Sequence, residues 1–343
     1  MDAKIPKLPW MSVDDHVAIC RNVEFSNDYN KKYKNHPLMT DFASDSMIKF
    51  LYGSNSQEGI LPKNRNDDTL IMVRDHFRNC KLFSTVDEKW NADGSNQERN
   101  QIFRLFNAKQ SLVGEPFLTL DNVKLVHSIL MKNSFDANNK PIANGEFRTT
   151  ACYSAGTWIT YPPPQCIKRG LEALLNEFNT QVSTRTARSK INAATHLFCN
   201  FLALHPFQDG NGRVARILVS YSLERMSTPF QVTRSTGHSR SKNHIYKALR
   251  IKNVHSYNDR LYRIVASSLA IQWQQFFNYI RFHDYVNSFH FSKVLKVLML
   301  LILTSKNISN IFNLKKKNNH FSKFLKVLTL LILTSKQMSD ITI

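Results

Sequence analysis

The sequence predicts a mainly α-helical protein, a helical bundle with one short β-hairpin. Three observations predict it. Apolar residues recur at helical spacing in several stretches that lack Gly and Pro, above all 191–204. The segment 149–161 is instead rich in β-formers and is broken by Gly156, which reads as a hairpin. Between two apolar helical patterns stands His205-Pro206-Phe207-Gln208-Asp209-Gly210-Asn211-Gly212-Arg213, a tight loop that feeds the N-terminus of a second helix starting near Val214.

The elements follow in order. Residues 1–36 are a polar leader with little periodicity. Met39, Phe42, Met47, Ile48, Phe50 and Leu51 give a helix over 37–53, and Tyr52 to Gly59 reads as its polar end, closed by Gly59. Residues 69–86 read as another helix. The polar segment 87–100 reads as a loop around Gly94 and as an insertion. A helix through Val123–Met131 starts near Thr119 or Asp121. The hairpin ends at Pro162-Pro163-Pro164. Ile167, Leu171, Leu174, Leu175 and Phe178 make 165–179 amphipathic, 180–189 is a polar link, and Val265 to Phe277 is a closing helix. The organisation expected is 1–36 leader, 37–114 helical extension, 115–280 core, and 281–343 a basic, apolar tail. In that tail His290–Lys306 recurs almost unchanged as His320–Lys336. Each apolar run there is interrupted by Lys and falls short of the ~20 residues a membrane span needs. The tail reads either as a basic amphipathic pair at an anionic membrane surface or as a repeat that packs or self-associates.

The chain has 343 residues, with 46 Lys+Arg against 26 Asp+Glu, a formal charge of +20. That balance favours anionic partners such as nucleotides, acidic proteins or anionic surfaces. Zinc-finger spacing, a basic zipper and an aromatic RNA-binding motif are all absent from the sequence, which disfavours a dedicated nucleic-acid site. Five spread cysteines without a CxxC pair suggest neither a disulfide framework nor a zinc site, and a reducing, cytoplasmic compartment fits. The first ten residues lack the long apolar core of a signal peptide.

The loop carries the chemistry. Glycines at a helix N-terminus turn backbone N–H groups toward one point and make an anion site. Arg213 and Arg216 add charge-assisted bonds to phosphate oxygens. Asp209 is a hard oxygen ligand suited to Mg2+. His205 is the side chain suited to take a proton near neutral pH. Phosphate cradle, cations, metal ligand and base within twelve residues are what nucleotidyl or phosphoryl transfer needs.

The stretch also resembles the Fic family. It matches His-x-Phe-x-Asp/Glu-Gly-Asn-Gly-Arg-x-x-Arg at every fixed position. The resemblance implies transfer of AMP from ATP to a Ser, Thr or Tyr hydroxyl of a target protein, with ATP and Mg2+ as the bound species. Under it His205 is the general base, Phe207 anchors the loop and Asp209 holds Mg2+. Gly210, Asn211 and Gly212 cradle phosphates, Asn211 also reaching the α-phosphate side, and Arg213 and Arg216 contact the outer phosphates. Gly145-Glu146-Phe147-Arg148 is similar to the family's Gly-x-Tyr/Phe-Arg. The hairpin, with Thr157, Trp158, Ile159 and Thr160, is similar to the family's flap, which pairs edge-on with the substrate segment. Asn243 and Tyr246, in a segment like the family's Asn-x-x-Tyr-x-x-Leu helix, reach toward the adenosine end, with plain packing of Tyr246 the alternative. Ser54, Glu58 and Gly59 fit Ser/Thr-x-x-x-Glu-Gly/Asn, the inhibitory helix of autoinhibited members, in which Glu58 competes with the γ-phosphate for Arg216. Gln57 departs from the Ile often found there.

Three rival functions remain at this level: removal of AMP by the same site, transfer of another phosphate-linked group, and an inactive core acting as a basic nucleic-acid- or membrane-binding protein. A homodimer stays open.

Overall fold

The computed structural model describes residues 28–60, 73–74, 97–136, 138–153, 160–183, 187–225, 228–231 and 254–288. The predicted helix 69–86 (apart from 73–74), the flap tip with Thr157, Trp158 and Ile159, the segment with Asn243 and Tyr246, and both copies of the repeat lie outside them. The chain divides into two compact units, Met1–Ile280 and Arg281–Ile343.

The protein is mainly helical, as predicted. Among the described residues the helices include α1 (Met39–Gln57), α2 (Gln97–Gln110), α3 (Leu120–Met131), α4 (Ile167–Val182), α5 (Ala187–Leu204), α6 (Asn211–Glu224) and α7 (Val254–Ser288). Helix α2 takes in 97–100, the end of the segment read as a loop, while 87–96 lie outside the described residues. Its first turn is polar, but Ile102, Leu105, Phe106 and Ala108 return at helical intervals and are all buried. The polar link is also shorter than predicted, because α4 runs to Val182 and α5 begins at Ala187.

Local chemistry sets the ends that matter. Thr119 caps α3 through a capping box: its side chain accepts from the Asn122 amide, and the Asn122 side chain accepts from the Thr119 amide. Helix α1 ends in a Schellman motif. The Ile60 amide donates to the Asn55 carbonyl and the Gly59 amide to the Ser56 carbonyl, with Gly59 at φ 76°. Gly59 thus stops the helix one residue after Glu58. Helix α5 ends on His205, at φ 50°, whose amide donates to the Phe201 carbonyl. A left-handed conformation costs a non-glycine residue about 1–2 kcal/mol.

The main core gathers α1 to α6. Leu51, Leu105, Val126, Leu171, Leu197, Phe201 and Phe207 are among its buried members. A second cluster is aromatic, with Tyr29, Phe42, Phe230, Trp273, Phe276 and Phe277. Trp273 packs edge-on against Phe230 at 4.8 Å and against Phe276 at 5.8 Å. Of the predicted hairpin, the described legs meet in one antiparallel bridge, Tyr153 to Thr160, and the Tyr161 amide donates to the Cys152 carbonyl at 3.2 Å.

Candidate active site

The loop between α5 and α6 hangs on Phe207. Its ring is fully buried, stacked on His127 at 3.7 Å and 5° and close to Phe201 and Phe147. The Asn211 side chain closes the loop from below: its amide donates to the Phe207 carbonyl at 2.8 Å and its oxygen accepts from the Phe207 amide at 3.0 Å. The Asn211 side chain thus braces the backbone of the loop. The residue is 2% exposed and both polar ends of its side chain are spent on the loop's own backbone.

Gly210, at φ 74°, is the N-cap of α6 and packs against α3, where an added Cβ would meet the Met131 sulfur at 2.8 Å. Asp209 stands exposed at the lip, and its Oδ1 accepts from the Gly210 amide at 2.6 Å. The Asp209 carbonyl is held by His127, a fully buried residue of α3. The Gly145 amide donates to His127 Nδ1 at 2.9 Å, so Nε2 carries the proton and donates to the Asp209 carbonyl at 3.1 Å. Burial pushes His127 down to about 4, so it stays neutral.

His205 stands at the opposite lip. Its ring stacks on Tyr161 at 4.0 Å and 17°. Its Nδ1 is buried, and the Leu202 carbonyl beside it favours a proton there although no partner meets hydrogen-bond geometry. Burial, with Arg148 helping, pushes His205 down to about 4, against the opposing pull of the Leu202 carbonyl and Asp209. The imidazole is therefore neutral at pH 7 and able to accept a proton.

The two motif arginines part company. Arg213 is 4% exposed and points inward. Its Nη1 donates to Gln101 of α2 at 2.6 Å, its Nη2 lies 3.2 Å from the Met131 sulfur, and its Nε is buried without a partner. Burial lowers its pKa, with Glu58 and Asp209 acting the other way. One turn after Gln101 on α2 lies Arg104, half-buried and itself lowered by burial and by the charge of Arg213.

Arg216 meets the end of α1. Its Nε donates to Ser54 Oγ at 2.9 Å, its Nη1 to Gln57 at 3.0 Å, and its Nη2 to the Ser54 carbonyl at 3.1 Å and to Glu58 Oε1 at 2.5 Å. Both charged side chains of the Glu58–Arg216 pair are less than a third exposed. The same carboxylate lies over the first turn of α6, where a Cβ added to Gly212 would come within 2.8 Å of Glu58 Oε1 and 3.4 Å of Arg216 Nη1. The Glu58 carboxylate thus rests where a helix N-terminus attracts an anion.

Residues 117–223 match the Fic/DOC family model. Over that span the chain carries a Fic/DOC-family domain. It is similar to a protein adenylyltransferase Fic of Aedes aegypti, 28% identical over 43% of this chain and 29% of that protein. A uridine 5'-monophosphate transferase of Xanthomonas campestris pv. campestris is 32% identical over 33% of this chain and 22% of that protein. A ribonucleoside-diphosphate reductase small chain of Ostreid herpesvirus 1 is 24% identical over 60% of this chain and 31% of that protein. The chain thus spans less than a third of each of these three relatives. In fold it resembles a Fic-domain signalling protein of Bacteroides thetaiotaomicron, with a TM-score of 0.54 at 18% identity over 73% of this chain and 94% of that one.

Among the described residues no three His, Cys, Asp or Glu side chains gather to hold a metal ion, and no helix is long and apolar enough to cross a membrane. Sequence reasoning passed over His127, Gln101 and Tyr161. It saw Gln57 as a mismatch and Arg148 as part of a motif, and it gave neither a place in the site.

Proposed function

We propose that this chain transfers AMP from ATP to hydroxyl groups of protein targets, and that Glu58 holds the transfer down. The observation that carries the reading is the placement of the Glu58 carboxylate on Arg216 and over Gly212, a site built for an anion and taken by the chain's own acid. When a nucleotide's terminal phosphate takes Arg216, the carboxylate must leave.

His205 is the general base. Its neutral imidazole takes the proton of the target hydroxyl at Nε2, the oxygen bonds to the α-phosphorus, and the bond from that phosphorus to the bridging oxygen breaks. Pyrophosphate leaves with the electron pair. The first-turn amides of α6, with Gly210 and Gly212, receive phosphate oxygens, and Arg216 meets the outer phosphate. Arg213 acts from below as a buried charge rather than as an exposed ligand.

The donor set at the lip fits Mg2+. Asp209 offers one exposed carboxylate, and magnesium commonly binds through one or two carboxylates with substrate phosphates and water completing the shell. Asp209 would hold the ion, which would supply positive charge against the phosphates. The hairpin legs at Tyr153 and Thr160 offer a strand edge to an extended target segment.

The experiment is intact-mass spectrometry of the purified chain and of labelled lysate proteins after incubation with ATP or with UTP. The reading requires an adduct of the mass of AMP, from ATP, in the Glu58→Gly variant. An adduct of UMP from UTP alone would assign the site to uridylyl transfer, in line with the Xanthomonas relative. No adduct from either nucleotide contradicts transferase activity.

A further inference from the structure

Arg148 lies outside the loop and in the reading above touches no reacting atom. It is 6% exposed and its guanidinium bonds backbone carbonyls on three sides. Nε donates to the His205 carbonyl at 2.7 Å, Nη1 to Thr150 at 3.0 Å, and Nη2 to Pro162 at 2.5 Å and Leu204 at 3.4 Å. The Arg148 amide donates to the Pro206 carbonyl at 3.0 Å. Thr150 and Pro162 flank the Tyr153–Thr160 bridge, one on each leg of the hairpin. Leu204 is the last residue of α5, at the negative end of that helix, and His205 follows it.

We propose that Arg148 is a positioning residue: it ties both legs of the hairpin to the backbone of His205, and so sets the reach between the imidazole and a hydroxyl presented along the hairpin. This rests on the transfer reading above. Two features argue for it over plain packing. Among the described residues its hydrogen-bond partners are all backbone carbonyls, so a buried charge is kept where a neutral side chain would avoid the desolvation cost. The carbonyl it grips at the end of α5 belongs to His205, just past the helix, which sits at positive φ and needs an outside hold to stay there. Tyr161, next to Pro162, lies flat on the imidazole, so one clamp fixes the base from its backbone and from its face. Lys cannot replace it, because a planar fork is needed to reach carbonyls in several directions.

The test uses the full chain in the Glu58→Gly background, with Arg148→Lys and Arg148→Gln beside it. Measurements are kcat, KM for ATP, thermal melting, and the pH titration of the His205 imidazole by NMR. The groups facing that imidazole are Arg148, Asp209, Tyr161 and the Leu202 carbonyl. The proposal expects kcat to fall about tenfold or more in both variants, since small misplacements at a reacting centre are costly. It expects KM for ATP to change by less than about threefold, because the phosphate cradle is left whole. It also expects His205 in Arg148→Gln to titrate at higher pH than in the parent. Folded variants with kcat within about twofold of the parent and an unmoved His205 titration would overturn it. Should Arg148→Gln fail to fold, Arg148→Lys, which keeps the charge and loses the fork, decides by the kcat-to-KM split. Should the Glu58→Gly parent transfer nothing, the transfer reading fails, while the His205 titration still decides whether Arg148 sets the base.

Discussion

The two lips of the site are held in opposite ways. On the His205 lip the residue is fixed from within, by the Tyr161 ring on the imidazole and by Arg148 gripping the His205 carbonyl. On the Arg216 lip the guanidinium is held from outside, by Ser54, Gln57 and Glu58 at the end of α1. Of the first set, Arg148 is buried and Tyr161 and His205 are half-buried. The second includes a carboxylate at the C-terminus of its own helix, where the helix dipole disfavours negative charge. On the proposed function, the base is prebuilt and the cation is lent to a displaceable acid, which puts control of the site on the Arg216 side.

That contrast can be broken at each lip. The largest effect is expected from His205→Ala, which should lower transfer by roughly 10²–10⁴-fold while melting stays near that of the parent. Labelled ATP giving undiminished labelling in this variant would remove the base assignment. Next is Glu58→Gly, read by self-labelling with ATP. A part-buried, charge-assisted bond contributes about 1.5–3 kcal/mol, so its removal should raise labelling by about 10–100-fold. A third test is pH. His205 is pushed down to about 4, so it gives up protons more readily than a free imidazole and is neutral from there upward. Transfer by Glu58→Gly should then show no His-dependent loss as pH falls through about 6.5, the ordinary histidine value. An acid limb centred there, absent from substrate binding, would contradict a buried neutral base. The smallest effect is expected from Gln57→Ile. It removes one neutral-to-charged bond on Arg216 and should raise labelling about two- to tenfold, less than Glu58→Gly does.

The lips also differ in how far they were legible in the sequence. On the Arg216 lip, local rules give only a polar helix end closed by Gly59; the pairing of Glu58 with Arg216 comes from the family resemblance, and the bonds from Ser54 and Gln57 come from neither. The His205 loop could be read as a loop by local rules too. Its supports could not. His127 and Arg148 come from elements far along the chain, and nothing in their own neighbourhoods says that one meets the Asp209 carbonyl and the other the His205 carbonyl. Arg213 and Asn211 show the limit from the other side. Their places in a glycine-rich loop suit phosphate contact, yet α2 and Phe207 draw both side chains inward. Helix α2 itself was missed because its polar first turn hid the period of Ile102, Leu105 and Phe106, whose burial depends on α3 and α6 being there.

The most direct test of the account is the initial rate of transfer from α-labelled ATP, measured side by side for the parent chain, Glu58→Gly, and Glu58→Gly with His205→Ala. The account predicts that Glu58→Gly is at least about tenfold faster than the parent and that the double variant returns to background. A Glu58→Gly chain no faster than its parent would contradict the claim that this carboxylate stands in the place of the nucleotide's phosphate.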